Sequence, residues 1–214
     1  MKRFTSLVLV VALLLLTTGN IFAATVPGSV YTDHTEQEMA NILNGAGVKD
    51  VKATDWYAQG FASLIEAGLI KPDANGNMNP LAPLTAGDAV SLIAKAIGIA
   101  AKTDTPEVAL QKAKNAGLVG AGVTTFTDMK RIDLASLVAK AFNISYISIY
   151  NKNLFPFEDF FAFTADERGM VKALHTRGFF VGYPIGNGKY EFRPYNIITK
   201  GEIVTLVARI LAAK

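Results

Sequence analysis

Three stretches of the chain carry the same apolar stripe. Ala89, Leu92, Ile93, Ala96 and Ile97 form the first. Leu134, Leu137, Val138, Ala141 and Phe142 form the second, and Ile203, Leu206, Val207, Ile210 and Leu211 the third. Each set falls at i, i+3, i+4, i+7 and i+8, the signature of a helix with one face against a core. Thr199 with Glu202 predicts a capping box at the start of the third helix, and Thr85 with Asp88 the same device with a shorter acid. The middle stretch has Lys130 in the threonine position, so Asp128 is the expected cap there. A basic residue recurs in register near each helix end: Lys95, Lys140 and Arg209.

A second helix is expected before each of these. One starts at Thr54 or Asp55 and runs through Phe61, Leu64 and Ile65 to Gly68. Another starts at Thr105-Pro106-Glu107 and stops at Gly117, and the third starts at the Thr164/Glu167 box and stops at Gly178. A glycine can take the left-handed conformation that ends a helix, and each is followed by an apolar pair: Leu69-Ile70, Leu118-Val119 and Phe179-Phe180. Loops rich in turn residues join the paired helices. They run from Lys71 to Pro80 and from Gly182 to Pro194, with a shorter one from Gly120 to Phe126. The unit is therefore helix, loop, capped helix, repeated three times. No unit is large enough to bury its own stripe, so the three are expected to pack as one mainly α domain. A further helix is expected over Thr35 to Leu43.

The N-terminus reads differently. Lys2 and Arg3 precede an unbroken apolar run from Leu7 to Leu16, and small residues follow at Ala23 and Ala24. This predicts a secretory signal over residues 1–23, too short to span a bilayer, which takes roughly 20 apolar residues. No second span follows, so the mature chain is expected to be secreted and free of the membrane. The formal charge of +3 includes Lys2 and Arg3, and without them it is +1. No polybasic run points to nucleic acid. With no cysteine there is no disulfide. The two histidines, His34 and His175, form no metal motif, and His175 is expected to pack inward. The Asp73–Asn79 loop lacks calcium-loop spacing and reads as a turn. No phosphate loop or nucleophile elbow is present, so neither cofactor, metal nor catalytic residue is expected.

The repeated unit resembles the S-layer homology module, whose pattern runs roughly F-x-D-V, W-A, G-I, G-Y, F-x-P and I-T-R-A-E. The first unit offers Val48-Lys49-Asp50-Val51, Trp56-Tyr57-Ala58, Gly68-Leu69 and Leu84-Thr85. The third agrees best motif by motif, with Phe157-Glu158-Asp159, Gly178-Phe179, Gly182-Tyr183, Phe192-Arg193-Pro194 and Ile198-Thr199-Lys200-Gly201-Glu202. The second keeps Gly117-Leu118, Gly120 and the Arg131 helix. On this resemblance residues 24–47 are an N-terminal extension, 48–100 the first repeat, 101–146 a shortened second and 147–214 the third.

The resemblance implies a pseudo-threefold bundle of helix-loop-helix repeats with grooves between them that bind a secondary cell-wall polysaccharide, often pyruvylated. The implied binding residues are Arg131, Lys130, Lys200, Trp56, Gly178, Gly182, Tyr183 and Arg193. A cation in the first turn of a helix suits an anionic ligand, because free backbone N–H groups and the macrodipole favour negative charge there. An aromatic ring suits a sugar face. The motif arginine is Ala86, Arg131 and Lys200 in the three units, so at most two grooves are expected to be competent. The expected role is a non-catalytic wall-binding protein at the cell surface. The alternatives are an assembly protein that kept the fold and lost the glycan site, working through self-association or a protein partner, and an enzyme acting on wall material.

Overall fold

In the computed structural model of the protein, residues 33–212 are described; the signal expected at residues 1–23 lies outside them. The protein is mainly helical. Its elements are α1 (Glu36–Gly45), α2 (Ala58–Glu66), α3 (Ala86–Ala96), α4 (Pro106–Asn115), α5 (Arg131–Ala141), α6 (Ala165–Thr176) and α7 (Lys200–Ala212), with two strands, β1 (Tyr183–Gly186) and β2 (Lys189–Glu191), between α6 and α7.

Local chemistry sets most helix starts. Thr35 caps α1 and Thr164 caps α6, each through a reciprocal box with Glu38 or Glu167. At α7, Glu202 Oε2 accepts from the Thr199 amide at 2.8 Å while Thr199 Oγ1 accepts from the Glu202 amide at 3.3 Å. In α3 only the forward half forms: Thr85 accepts from the Asp88 amide at 3.2 Å. Aspartate is one methylene too short to reach back, and it faces Lys200 instead. Two expected starts differ. Lys130 is the N-cap of α5 with no side-chain cap, so Asp128 does not serve there. Helix α2 begins after Tyr57, not at Asp55, because Asp55 spends its carboxylate on the Lys52 amide at 2.8 Å and holds a turn ahead of the helix. Gly68, Gly117 and Gly178 all take positive φ, 65°, 73° and 73°, as helix stops.

The loop before α7 contains a hairpin where turn chemistry alone was expected. Tyr183 pairs with Glu191 and Pro184 with Tyr190, and Gly186-Asn187-Gly188, all at positive φ, make the turn.

The packing order closes on itself. Helix α3 lies on α4, α5 on α6, and α7 back on α2; α3 also touches α5 and α7, and α1 covers α2. The residues just ahead of α3, α5 and α7 are linked in a ring. Leu84 donates to the Ile198 carbonyl (2.7 Å), Ile198 to that of Met129 (3.2 Å), and Met129 to that of Leu84 (3.0 Å). All three side chains are buried, so the ring satisfies backbone groups that water cannot reach. One hydrophobic cluster runs from Leu43 to Leu211.

Two aspartates fix the loops that enter this ring. Asp50 accepts from the Met78 and Asn79 amides at 2.8 and 2.7 Å, and Asp159 from the Phe192 and Arg193 amides at 3.1 and 2.8 Å. In each loop the second donor residue is left-handed, with φ of 53° at Asn79 and 59° at Arg193. Each stands immediately before a proline, Pro80 or Pro194. A two-amide clamp of this kind offsets the cost of that conformation.

Candidate functional site

The first turns of α3, α5 and α7 do not end in solvent. Each donates two amides to a loop of the neighbouring unit. Ala86 and Gly87 donate to Thr127 and Thr125 (2.7 and 3.1 Å), Arg131 and Ile132 to Asn196 and Pro194 (2.9 and 3.0 Å), and Lys200 and Gly201 to Ala82 and Pro80 (3.2 and 2.8 Å). These three junctions hold the residues in the motif-arginine position, and they differ chemically.

At the α5 junction Arg131 is only 7% exposed. Its Nη2 donates to the Val181 carbonyl at 2.5 Å, its Nη1 lies 3.6 Å from Glu202, and its guanidinium sits over the rings of Phe180, Tyr183 and Phe192 at 4.8–5.2 Å. The Tyr183 hydroxyl donates to the same Glu202 carboxylate. Burial lowers the Arg131 pKa, opposed by Tyr183 and Glu202, and burial with the Glu202 bond pushes Tyr183 up to about 12. Arg131 Nε is buried without a partner. Arg193 stacks on the other side of this cluster, 4.9 Å from the Tyr183 ring, and bonds Glu191 at 3.1 Å.

At the α7 junction the cation is open. Lys200 is half-buried, with Nζ 3.7 Å from Asp88. Trp56 is 60% exposed. Their chain neighbours meet: Trp56 meets Tyr57 edge-on at 5.1 Å, and the Tyr57 ring lies 3.0 Å from where a Cβ on Gly201 would stand. At the α3 junction Ala86 supplies no cation. Gly87 packs directly on Thr125, and a Cβ there would come within 2.9 Å.

Of the residues expected at a site, the structure therefore brings Arg131, Tyr183 and Arg193 together at one junction, while Lys200 and Trp56 are linked only through their chain neighbours, Gly201 packing on Tyr57. Gly182 is a packing glycine against Phe157 and Tyr190, where a Cβ would come within 2.6 Å. Lys130 is exposed at the start of α5 and joins neither cluster through any bond. Gly178 ends α6 in open space. His175 packs inward, bonded to the Phe180 carbonyl at 2.9 Å. Among the described residues no group of three or more His, Asp or Glu could hold a metal ion, and no helix is long and apolar enough to cross a membrane.

Sequence reasoning missed the acids. Glu202 and Asp88 read as helix caps, yet each also faces a cation of another unit, Arg131 and Lys200 respectively. It also missed one exposed apolar residue per loop: Leu81, Phe126 and Tyr195 each sit between the two carbonyls that receive a helix start. Both signals were present as positions in register.

The class of protein is thus a mainly helical module whose helix starts are plugged into loops distant in sequence. Residues 49–90, from the Asp50 clamp to the middle of α3, match the S-layer homology domain, so the chain carries such a domain there. Such a domain points in general terms to attachment at the cell surface. No curated protein matches the chain. The match falls on the first unit, although the third agrees better motif by motif. The clamp spans 29 residues in the first unit, from Asp50 to Asn79, and 34 in the third, from Asp159 to Arg193.

Proposed function

We propose that the protein is a non-catalytic cell-surface module that binds a secondary wall polymer at the α7 junction, with Lys200 as the cation and Trp56 as the sugar platform. The observation that supports this reading is the packing of Gly201 on Tyr57, which sets the half-buried Lys200 and the exposed Trp56 on either side of that contact in sequence. Arg131 has the better geometry for a carboxylate but is already engaged by Glu202, Tyr183 and Val181, and a ligand would have to displace them. We read Arg131 as a brace with latent binding capacity and Lys200 as the working contact. Gly182, Tyr183 and Arg193 shape the neighbouring loop and support it, while Lys130, exposed at the start of α5, and Gly178, the stop of α6, remain as further candidate contacts. The proposal includes secretion, three repeats in one domain and a pseudo-threefold arrangement. The closed packing order and the Leu84–Ile198–Met129 ring favour that arrangement. A pyruvylated polymer fits the lysine charge near a helix start, where the macrodipole also favours an anion although the first amides are already paired.

The test is co-sedimentation with isolated cell walls before and after chemical removal of the secondary polymer. Binding should vanish on stripping. Lys200→Ala and Trp56→Ala should each weaken it about tenfold, roughly 1.4 kcal/mol, with unchanged melting. No binding to intact walls would sink the reading. It would favour an assembly protein that has lost the glycan site, a role the absent cation at Ala86 also fits.

A further inference from the structure

The segment between α5 and α6 exposes large apolar side chains that the wall-binding reading does not use. Ile147, Tyr150 and Phe161 are 83%, 80% and 85% exposed, and Tyr195 is 64% exposed. Their stretches of chain are drawn into one region, chiefly by Arg168. Its guanidinium donates to the carbonyls of Ile149 (3.1 Å), Phe160 (2.9 Å) and Phe163 (2.7 Å) and stacks on the Phe160 ring at 3.7 Å. Tyr150 and Phe161 each follow one of those carbonyls. Ile147 crosses α6 at Gly169, beside Arg168, where no side chain could fit beneath its carbonyl. The Tyr195 hydroxyl donates to the Ala162 carbonyl at 2.9 Å, bringing its ring to the same edge. The platform is held rigidly by buried bonds, while the rings themselves face water.

We propose that this face is the contact surface for a second copy of the chain. Four side chains of this size and exposure present roughly 600 Å², and a standard interface takes about 800 Å² from each partner. Tyr146 and Leu154, also exposed on the same segment, supply the margin. The composition fits as well, since interface centres favour Tyr and Phe. A two-fold contact uses the same patch on both copies, so one face is sufficient. Lys152 and Glu158, an ion pair at 3.6 Å on this segment, offer each copy both signs of charge for the rim.

Sedimentation equilibrium of the chain as the cell processes it, from about 1 to 200 µM, tests this. A monomer–dimer equilibrium is expected. Tyr150→Ser with Phe161→Ser should weaken it at least tenfold, and so should Ile147→Ser alone, with helical circular dichroism and melting unchanged. Monomer at every concentration overturns the proposal, and so does a dimer indifferent to these substitutions, whether the patch is then covered by wall polymer, another protein or nothing. Wall co-sedimentation of the same variants keeps the two readings apart, because Lys200 and Trp56 are untouched.

Discussion

Asp50 and Asp159 each do one job with both carboxylate oxygens: they hold two successive amides and so keep Asn79 or Arg193 left-handed ahead of a proline. Replacing either by alanine removes two charge-assisted bonds, and the loop then loses its approach to the ring. Asp159→Ala should cost about 2 kcal/mol and lower the melting temperature by roughly 4–8 °C, measured by calorimetry. Tyr183 carries a pH effect whose sign can be worked out. Its folded pKa of about 12 lies above the ordinary 10, so folding favours the neutral phenol. The stability this confers is complete below about pH 10 and is lost as pH rises toward 12. The urea midpoint should therefore fall more steeply between about pH 10 and pH 12 in the native chain than in Tyr183→Phe. An equal fall in both would show that Tyr183 does not carry the effect. Both aspartates stood in recognisable motifs, but their role could not be read. A carboxylate that clamps a loop about thirty residues away looks in sequence like any surface acid.

The elements were legible where local chemistry decides them. Thr105 with Pro106, and the Thr35, Thr164 and Thr199 boxes, start helices as their side chains dictate, and the stripe positions of α3, α5 and α7 are buried except Phe142, which is half-buried. Legibility failed where a residue had two possible partners. Asp55 served an amide ahead of α2, and Asp88 was too short for a box and turned to a lysine from another unit. The β1–β2 hairpin was hidden because Gly186-Asn187-Gly188 is equally good as an open turn; what ties the second strand down is distant in sequence, the Glu158 amide donating to the Tyr190 carbonyl at 2.9 Å and the Glu158 carboxylate facing Lys189 at 3.4 Å. Close packing between elements was also unreadable. Gly169 lies under the Ile147 backbone, with a Cβ only 2.0 Å from the carbonyl oxygen. Gly169→Ala should force the segment off α6 and cost about 3 kcal/mol, although alanine is the better helix former. Gly120→Ala, in open space, should stay within about 0.5 kcal/mol. Paired denaturant titrations decide it, and equal midpoints for the two variants would refute this packing account.

At the scale of the molecule, the order of packing pairs the second helix of each unit with the first helix of the following unit, and the last, α7, with α2 near the start. Helices α2 and α3 belong to one sequence unit, yet α2 rests on α7 and α3 on α4. The matched domain at residues 49–90 therefore leaves out the partners of both its helices. The ring at Leu84, Met129 and Ile198 has the same property, since each residue supplies one donor and one acceptor and the removal of any one strands the other two. Stacked repeats in an open solenoid tolerate loss from an end, because each repeat contacts only its neighbours. A closed ring has no end. A fragment spanning 48–100 should thus show no cooperative melting, and a chain truncated before α7 should lose the fold altogether, not a third of its stability. The intact chain should unfold in one transition, with calorimetric and van't Hoff enthalpies equal. A fragment that folds alone, or a stepwise melt, would mean that the units are independent and that the ring merely decorates them. Cooperativity also bears on binding, because Lys200 is positioned by a loop from the far end of the sequence. Any change that opens the ring should abolish wall attachment together with the fold, whereas Lys200→Ala should weaken attachment about tenfold and leave the fold intact.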